Sequence, residues 1–159
     1  MAEYGANALQ TVNPGETVVF TEDTDPCVRG LVRHRQGTGN FQLSGFVPNN
    51  QNSCNCGCRR NQKPARYLID FGANIAIPTG ETVGPISLAL VIDGATVPSS
   101  QMIITPAAVE EFFNVSRAIT LGIWNNCCQT IAVRNTSSIP ILVQNANILF
   151  SRPDLYVSY

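Results

Sequence analysis

Phe41-Gln42-Leu43-Ser44-Gly45-Phe46 alternates apolar side chains with small or polar ones. A period of two sends one set to one face of a strand and the other set to the opposite face. Outward from this segment, short runs of the same kind recur: Thr17-Val18-Val19-Phe20, Ile86-Ser87-Leu88-Ala89-Leu90-Val91-Ile92, Ile131-Ala132-Val133, and Ile139 to Leu149. Turn signals separate them, at Asn13-Pro14-Gly15, Asp25-Pro26, Gly37-Thr38-Gly39, Pro78-Thr79-Gly80, Asp93-Gly94 and Asn125-Asn126. Short strands at this spacing predict an all-β antiparallel sandwich or barrel. Burying one face of each strand predicts a core of Val18, Phe20, Leu31, Phe41, Leu43, Leu68, Ile86, Leu88, Leu90, Ile104, Phe113, Ile131, Val133, Leu142 and Ile148.

Helix signals are few. Pro106 to Phe113 reads as one or two helical turns, with Thr105 as a cap and Glu110 and Glu111 near the positive end. Ten prolines disfavour anything longer. The run Ile86 to Ile92 is apolar on both faces, so it calls for cover beyond its own sandwich; a second copy of the chain would supply it.

The 159 residues suit one domain, 1–159. Hydrophobic residues make up 44% and charged residues 13%, the opposite of a disordered chain. So sparse a charge fits either a surface covered by partners or one made of Ser, Thr, Asn and Gln. Net charge is −1, which gives no long-range field to draw in a polyanion. The basic residues Arg29, Arg33, His34, Arg35, Arg59, Arg60 and Lys63 lack interleaved aromatics, so no nucleic-acid partner is expected. No window approaches 18 continuous apolar residues, and no membrane span is expected. MAEYGANALQ has neither a charged n-region nor an apolar h-region, so no Sec-type leader is expected. The expectation is synthesis in a cytosol, with any exit inside an assembly or by lysis.

Residues 48–64 break the β pattern. Pro48 to Pro64 is polar, Asn-rich and without apolar anchors, and reads as a long surface loop. It holds Cys54-Asn55-Cys56-Gly57-Cys58, three of six cysteines; the others are Cys27, Cys127 and Cys128. Cys54, Cys56 and Cys58 can gather thiolates around a soft metal ion, although paired zinc ligands more often stand two residues apart. Disulfides are the alternative. Cys127 and Cys128 would point to opposite faces of a strand, leaving one of them free to reach a loop cysteine. Free thiols are the third reading.

Catalysis finds little to work with. His34 is the only histidine and lies between two arginines, near no nucleophile motif. Asp70 and Asp93 are isolated, and Glu110 and Glu111 face different directions if helical. No phosphate-binding loop, dinucleotide fingerprint or metalloprotease motif occurs. Asn114-Val115-Ser116 and Asn135-Thr136-Ser137 match the glycosylation pattern, read here as coincidence. The chain is expected to be no enzyme and to need no cofactor apart from any metal at the cysteine loop.

Several stretches together resemble a known group: Phe71 to Gly80, Gly84 to Leu90, Thr105 to Val109, Ala132 to Thr136 and Val143 to Asn147. They are similar to a jelly-roll structural protein of Firmicutes phages and prophages, and to the C-terminal domains of collagen-like exosporium proteins. That group is similar in architecture to the complement and tumour necrosis factor superfamily. The resemblance covers about residues 7–150 and is structural rather than catalytic. It implies a jelly roll of about ten strands that packs as a homotrimer. No Gly-X-Y stalk precedes the domain here, which favours a free-standing capsid decoration or head-surface protein over a spore filament. The implied partner is the major capsid protein of the shell, and the implied location the virion surface. Alternatives are a binding module for a glycan or host-cell receptor, and a spore-surface protein. The C-terminal tail, residues 151–159, carries Leu155, Tyr156, Val157 and Tyr159 and is expected to dock on a neighbouring subunit or on the shell.

Overall fold

A computed structural model describes residues 1–25, 31–45, 64–124 and 127–155. Among these the strands are β1 (Ala2–Ala6), β2 (Gln10–Val12), β3 (Glu22–Asp25), β4 (Val32–His34), β5 (Phe41–Ser44), β6 (Ala65–Ala76), β7 (Ile86–Ile92), β8 (Ala95–Thr96), β9 (Met102–Ile104), β10 (Phe113–Ile123), β11 (Cys128–Asn135) and β12 (Ile141–Ser151). They form two antiparallel sheets. The first, sheet A, runs β10-β6-β12-β1-β3, with β2 also on β12; the second, sheet B, runs β4-β5-β11-β7-β8, with β9 also on β7. The predicted antiparallel jelly-roll sandwich is what forms.

The core lies between the sheets and follows strand parity. On β6, Ala65, Tyr67, Ile69, Phe71, Ala73 and Ile75 are buried while Arg66, Leu68 and Asp70 face outward. Phe41 of sheet B meets Tyr4 and Phe150 of sheet A, with ring centroids 4.9 and 5.0 Å apart. Tyr67, fully buried, reaches across the sandwich, and its hydroxyl is shared between the carbonyls of Ser44 (2.6 Å) and Leu31 (3.1 Å). Gly45 lies so close to the Trp124 carbonyl that no Cβ fits. That contact explains why the alternation beginning at Phe41 needs a glycine where it leaves the sheet.

Of the predicted core, Val18, Phe20, Leu31, Phe41, Leu43, Ile86, Leu88, Leu90, Ile131, Val133 and Ile148 are buried, and Ile104 packs against them. Leu68 and Phe113 are exposed and Leu142 is half-buried. On β12 the cause is a bulge. Gln144 pairs with Asn74 and Asn147 with Gly72, so β12 carries one extra residue, and Asn145 takes φ 51°. Parity flips there: Ile141 and Val143 are buried before it, Ala146, Ile148 and Phe150 after it.

Two expectations need correction. Pro106 to Phe113 forms no helix. The Glu111 carboxylate accepts the N–H groups of Ala107 (2.9 Å) and Ala108 (3.2 Å), and Glu110 takes φ 58°, which closes a single turn and sends Phe113 into β10. Nor does β7 need a second copy for cover. Its outward residues Ser87, Ala89 and Val91 are buried within the one chain. Thr136 and Ser137 cap Ser87. Arg134, opposite Ala89, runs along the outer face to donate to the Gly94 carbonyl at 3.1 Å.

Candidate functional site

The sequence offered His34 and the cysteines as chemistry-bearing groups. His34 ends β4, and its side chain is only 1% exposed. Its ring stacks on Phe41 at 4.4 Å and meets Tyr4 edge-on. Nδ1 lies 3.1 Å from an Asp23 carboxylate oxygen and Nε2 3.1 Å from the Thr38 carbonyl. Both nitrogens are thus occupied by structural partners, and among the described residues neither is bonded to a nucleophilic hydroxyl or thiol. General-base catalysis needs a nitrogen within reach of the proton it removes. This histidine instead pins β3, β4 and the 35–38 turn together.

Cys54, Cys56 and Cys58, the suggested metal ligands, and Cys27 lie outside the described residues. Cys127 and Cys128 are both in disulfide bonds. Among the described residues no group of three or more His, Cys, Asp or Glu side chains is placed to hold a metal. No helix there is long and apolar enough to cross a membrane.

The remaining candidates resolve into structural roles. Asp93 holds the β7–β8 turn and accepts the Thr130 N–H at 2.8 Å. Asn135 is buried; its amide donates to the Val12 and Ile139 carbonyls, so it is unavailable to a glycan transferase. Asn114, the other matching asparagine, is exposed.

At the C-terminus, Ser151 still belongs to β12, and the next residues seat on the chain's own β6. Arg152, 4% exposed, lies over the Tyr67 ring at 4.8 Å and grips Asp154 through two bonds, 2.8 and 2.7 Å. Asp154 also accepts the Arg66 N–H. Burial works against the charge on both partners, yet their mutual hydrogen bonds win. Arg152 is held above its ordinary value, and Asp154 below the ordinary carboxylate range. Residues 156–159 lie outside the described residues.

What stands out as a surface is the outer face of sheet A. The outward positions of β10, β6 and β12 carry Ser116, Ala118, Thr120, Leu68, Gly72, Asn74, Leu142, Gln144, Asn147, Leu149 and Ser151. Across these three strands only Arg66 and Asp70 bear charge on that face. Leu68 and Leu149 are diagonal neighbours on it. At the open edge of the sheet, Phe112 and Phe113 are each 40% exposed. Sequence reasoning missed this face because it placed Leu68 in the core; Phe113, opposite buried Ile75, has inward parity and is exposed at the edge. The available signal was the heavier inward set beside Leu68, namely Tyr67, Ile69 and Phe71.

No protein-family model and no curated protein matches the sequence. Solved structures do share its fold. The globular domain of zebrafish complement 1qA protein superposes with a TM-score of 0.56 at 12% identity, covering 93% of this chain and 94% of that one. The Eiger TNF from S. frugiperda superposes with a TM-score of 0.61 at 12% identity, covering 95% and 90%. The architecture is therefore the jelly roll of complement 1q and tumour necrosis factor domains.

Proposed function

We propose that this chain is a structural display module that assembles as a homotrimer on the surface of a particle, as a decoration or head-surface protein of a phage capsid. The observation that carries the reading is the outer face of β10, β6 and β12, whose only charges are Arg66 and Asp70, beside an edge that exposes Phe112 and Phe113; the acids Glu3, Glu22 and Asp25 lie beyond it on β1 and β3. An edge-to-face contact is heterologous, and three copies related by a threefold axis close it. An obligate contact of this kind buries about 2,000 Å² or more in total. The phage setting rests on the sequence resemblance. The reading is non-catalytic, with the shell's major capsid protein as the second partner. Its test is the copy number of this protein in purified virions. Hundreds of symmetric copies on the head are expected; a few copies at the tail would replace decoration with receptor binding.

For the cysteine loop we propose disulfide closure ahead of metal binding at Cys54, Cys56 and Cys58. Support comes from Cys127 and Cys128, which are both disulfide-bonded. Closing a loop of ~15 residues stabilises a fold by roughly 3 kcal/mol in the chain-entropy model. Thiol titration under denaturing conditions checks this. Six titratable thiols without reductant and no bound metal would remove both forms of the clamp.

A further inference from the structure

Sheet B carries a second surface, distinct from the assembly face on sheet A. Where β4, β5 and β11 lie side by side, a cleft of about 470 Å³ opens on the outer face. It is lined by Arg33, Arg35, Thr38, Asn40, Gln42 and Thr130, with His34 beneath. Arg33 lies opposite Gln42, and Gln42 opposite Thr130, so a guanidinium, an amide and a hydroxyl form one row across three strands. Arg35 follows Arg33 by two residues, about 6.6 Å further along the chain at the strand rise.

The base of the cleft is fixed. Thr38 donates from its N–H (3.1 Å) and its hydroxyl (2.7 Å) to the Arg35 carbonyl, Gly37 N–H bonds the Phe20 carbonyl, and Gln36 bonds the Thr21 carbonyl. The two arginines therefore project from a rigid turn and strand, as a preformed site requires.

Among the described residues no carboxylate lines this cleft. Asp23, beside His34, is bonded to that ring, and Asp93 accepts the Thr130 N–H. Among the described residues Arg33 and Arg35 make no ion pair and no side-chain hydrogen bond, whereas Arg117, Arg134 and Arg152 are each bonded to a carbonyl or a carboxylate. Paired guanidinium forks match carboxylate or sulfate oxygens. The neighbouring amides and hydroxyls match sugar hydroxyls. Among the described residues no exposed aromatic ring lines the cleft to offer the stacking platform that single-stranded nucleic acid uses.

We infer that this cleft binds an acidic glycan, with Arg33 and Arg35 holding its anionic groups and Asn40, Gln42 and Thr130 contacting its hydroxyls. The site does not depend on the assembly reading. The test is binding of the full chain to polygalacturonate (carboxylate) and dextran sulfate (sulfate), with neutral dextran as control, by calorimetry at low and high salt. At least one acidic glycan should bind, more weakly as salt rises, and dextran should not. Arg33→Gln and Arg35→Gln should each cost roughly tenfold in affinity, the size of one charge-assisted contact. Arg66→Gln, an exposed arginine on the other sheet, should leave affinity unchanged, and the Arg33 and Arg35 variants should keep the wild-type mass in light scattering. Absence of binding to both glycans, wild-type affinity in a variant carrying both Arg33→Gln and Arg35→Gln, an equal loss in Arg66→Gln, or equally tight binding of single-stranded DNA added as a second control would each overturn the site. A monomeric wild type that still bound an acidic glycan would count against the assembly face alone.

Discussion

Strands β6 and β7 invert what their sequences suggest. β7 is a run of seven residues, apolar apart from Ser87, which reads as a strand needing a partner on both faces; the chain itself covers it, through Arg134 and the Thr136–Ser137 turn. β6 alternates cleanly, which reads as core on one side and water on the other; yet its outward face, with Leu68 between Arg66 and Asp70, belongs to a broad surface that carries no other charge on β10 or β12. Small residues explain the first case. Ala89 and Ser87 leave room for a long side chain from the neighbouring strand to lie over them. The second case follows from the neighbours of β6, since β10 and β12 add almost no charge to the surface it shares. Apolar content along one strand therefore does not by itself locate burial by a second copy, and the composition of three adjacent strands is what marks a candidate contact surface.

The sharpest contrast is between the inward side of β7 and the outward side of β6. Leu88→Ala should cost ~2–5 kcal/mol in denaturant unfolding, because Leu88 is fully buried between the sheets. Leu68→Ala should cost the isolated domain under about 1 kcal/mol. Equal losses at the two positions would erase the distinction.

That distinction also measures how much of the fold was legible in the sequence. The alternation beginning at Phe41 was sufficient for the sandwich, and it placed Phe41, Leu43, Leu88, Leu90, Ile131 and Val133 correctly. It misplaced Leu68 by reading that one leucine alone: Arg66 and Asp70 on the same parity are charged, and the opposite parity holds Ala65, Tyr67, Ile69 and Phe71. It misplaced Leu142 because the bulge at Asn145 reverses parity, and a lone asparagine gives no advance sign of that. Pro106 to Phe113 looked helical because its residues have helical manners; the Glu111 side chain captured the N–H groups instead. The role of His34 was half legible. Its lack of a nucleophile motif argued against catalysis, but its place against Phe41 and Asp23 depends on contacts distant in sequence.

A second way to sharpen the comparison is to overfill the outer side of β7. Ala89 is fully buried there, so Ala89→Leu should destabilise the domain by ~1–3 kcal/mol even when it is monomeric. A change within about 0.5 kcal/mol would mean that this face is open after all.

The smallest expected effect is at the end of β6, where the C-terminal turn docks. Asp154→Asn should cost about 1 kcal/mol at neutral pH, a modest figure because Asp154 keeps 26% of its side chain exposed. The folded carboxyl titrates below its unfolded value, so its contribution is full at neutral pH and is lost as pH falls through the folded value. The gap between wild type and Asp154→Asn, followed by melting at several pH values, should shrink below about pH 4. A constant gap down to about pH 2 would show that the ion pair is not what anchors the turn.

On the proposed function, copies of the chain meet at the outer face of β10, β6 and β12. The most direct test is the mass in solution of the wild type and of Leu68→Glu, by light scattering at micromolar concentration. The account predicts three times the 17.2 kDa chain for the wild type and a folded single chain for Leu68→Glu, whose added charge would be buried without a partner. A wild type that is already a single chain, or a Leu68→Glu variant that remains a trimer, would contradict it.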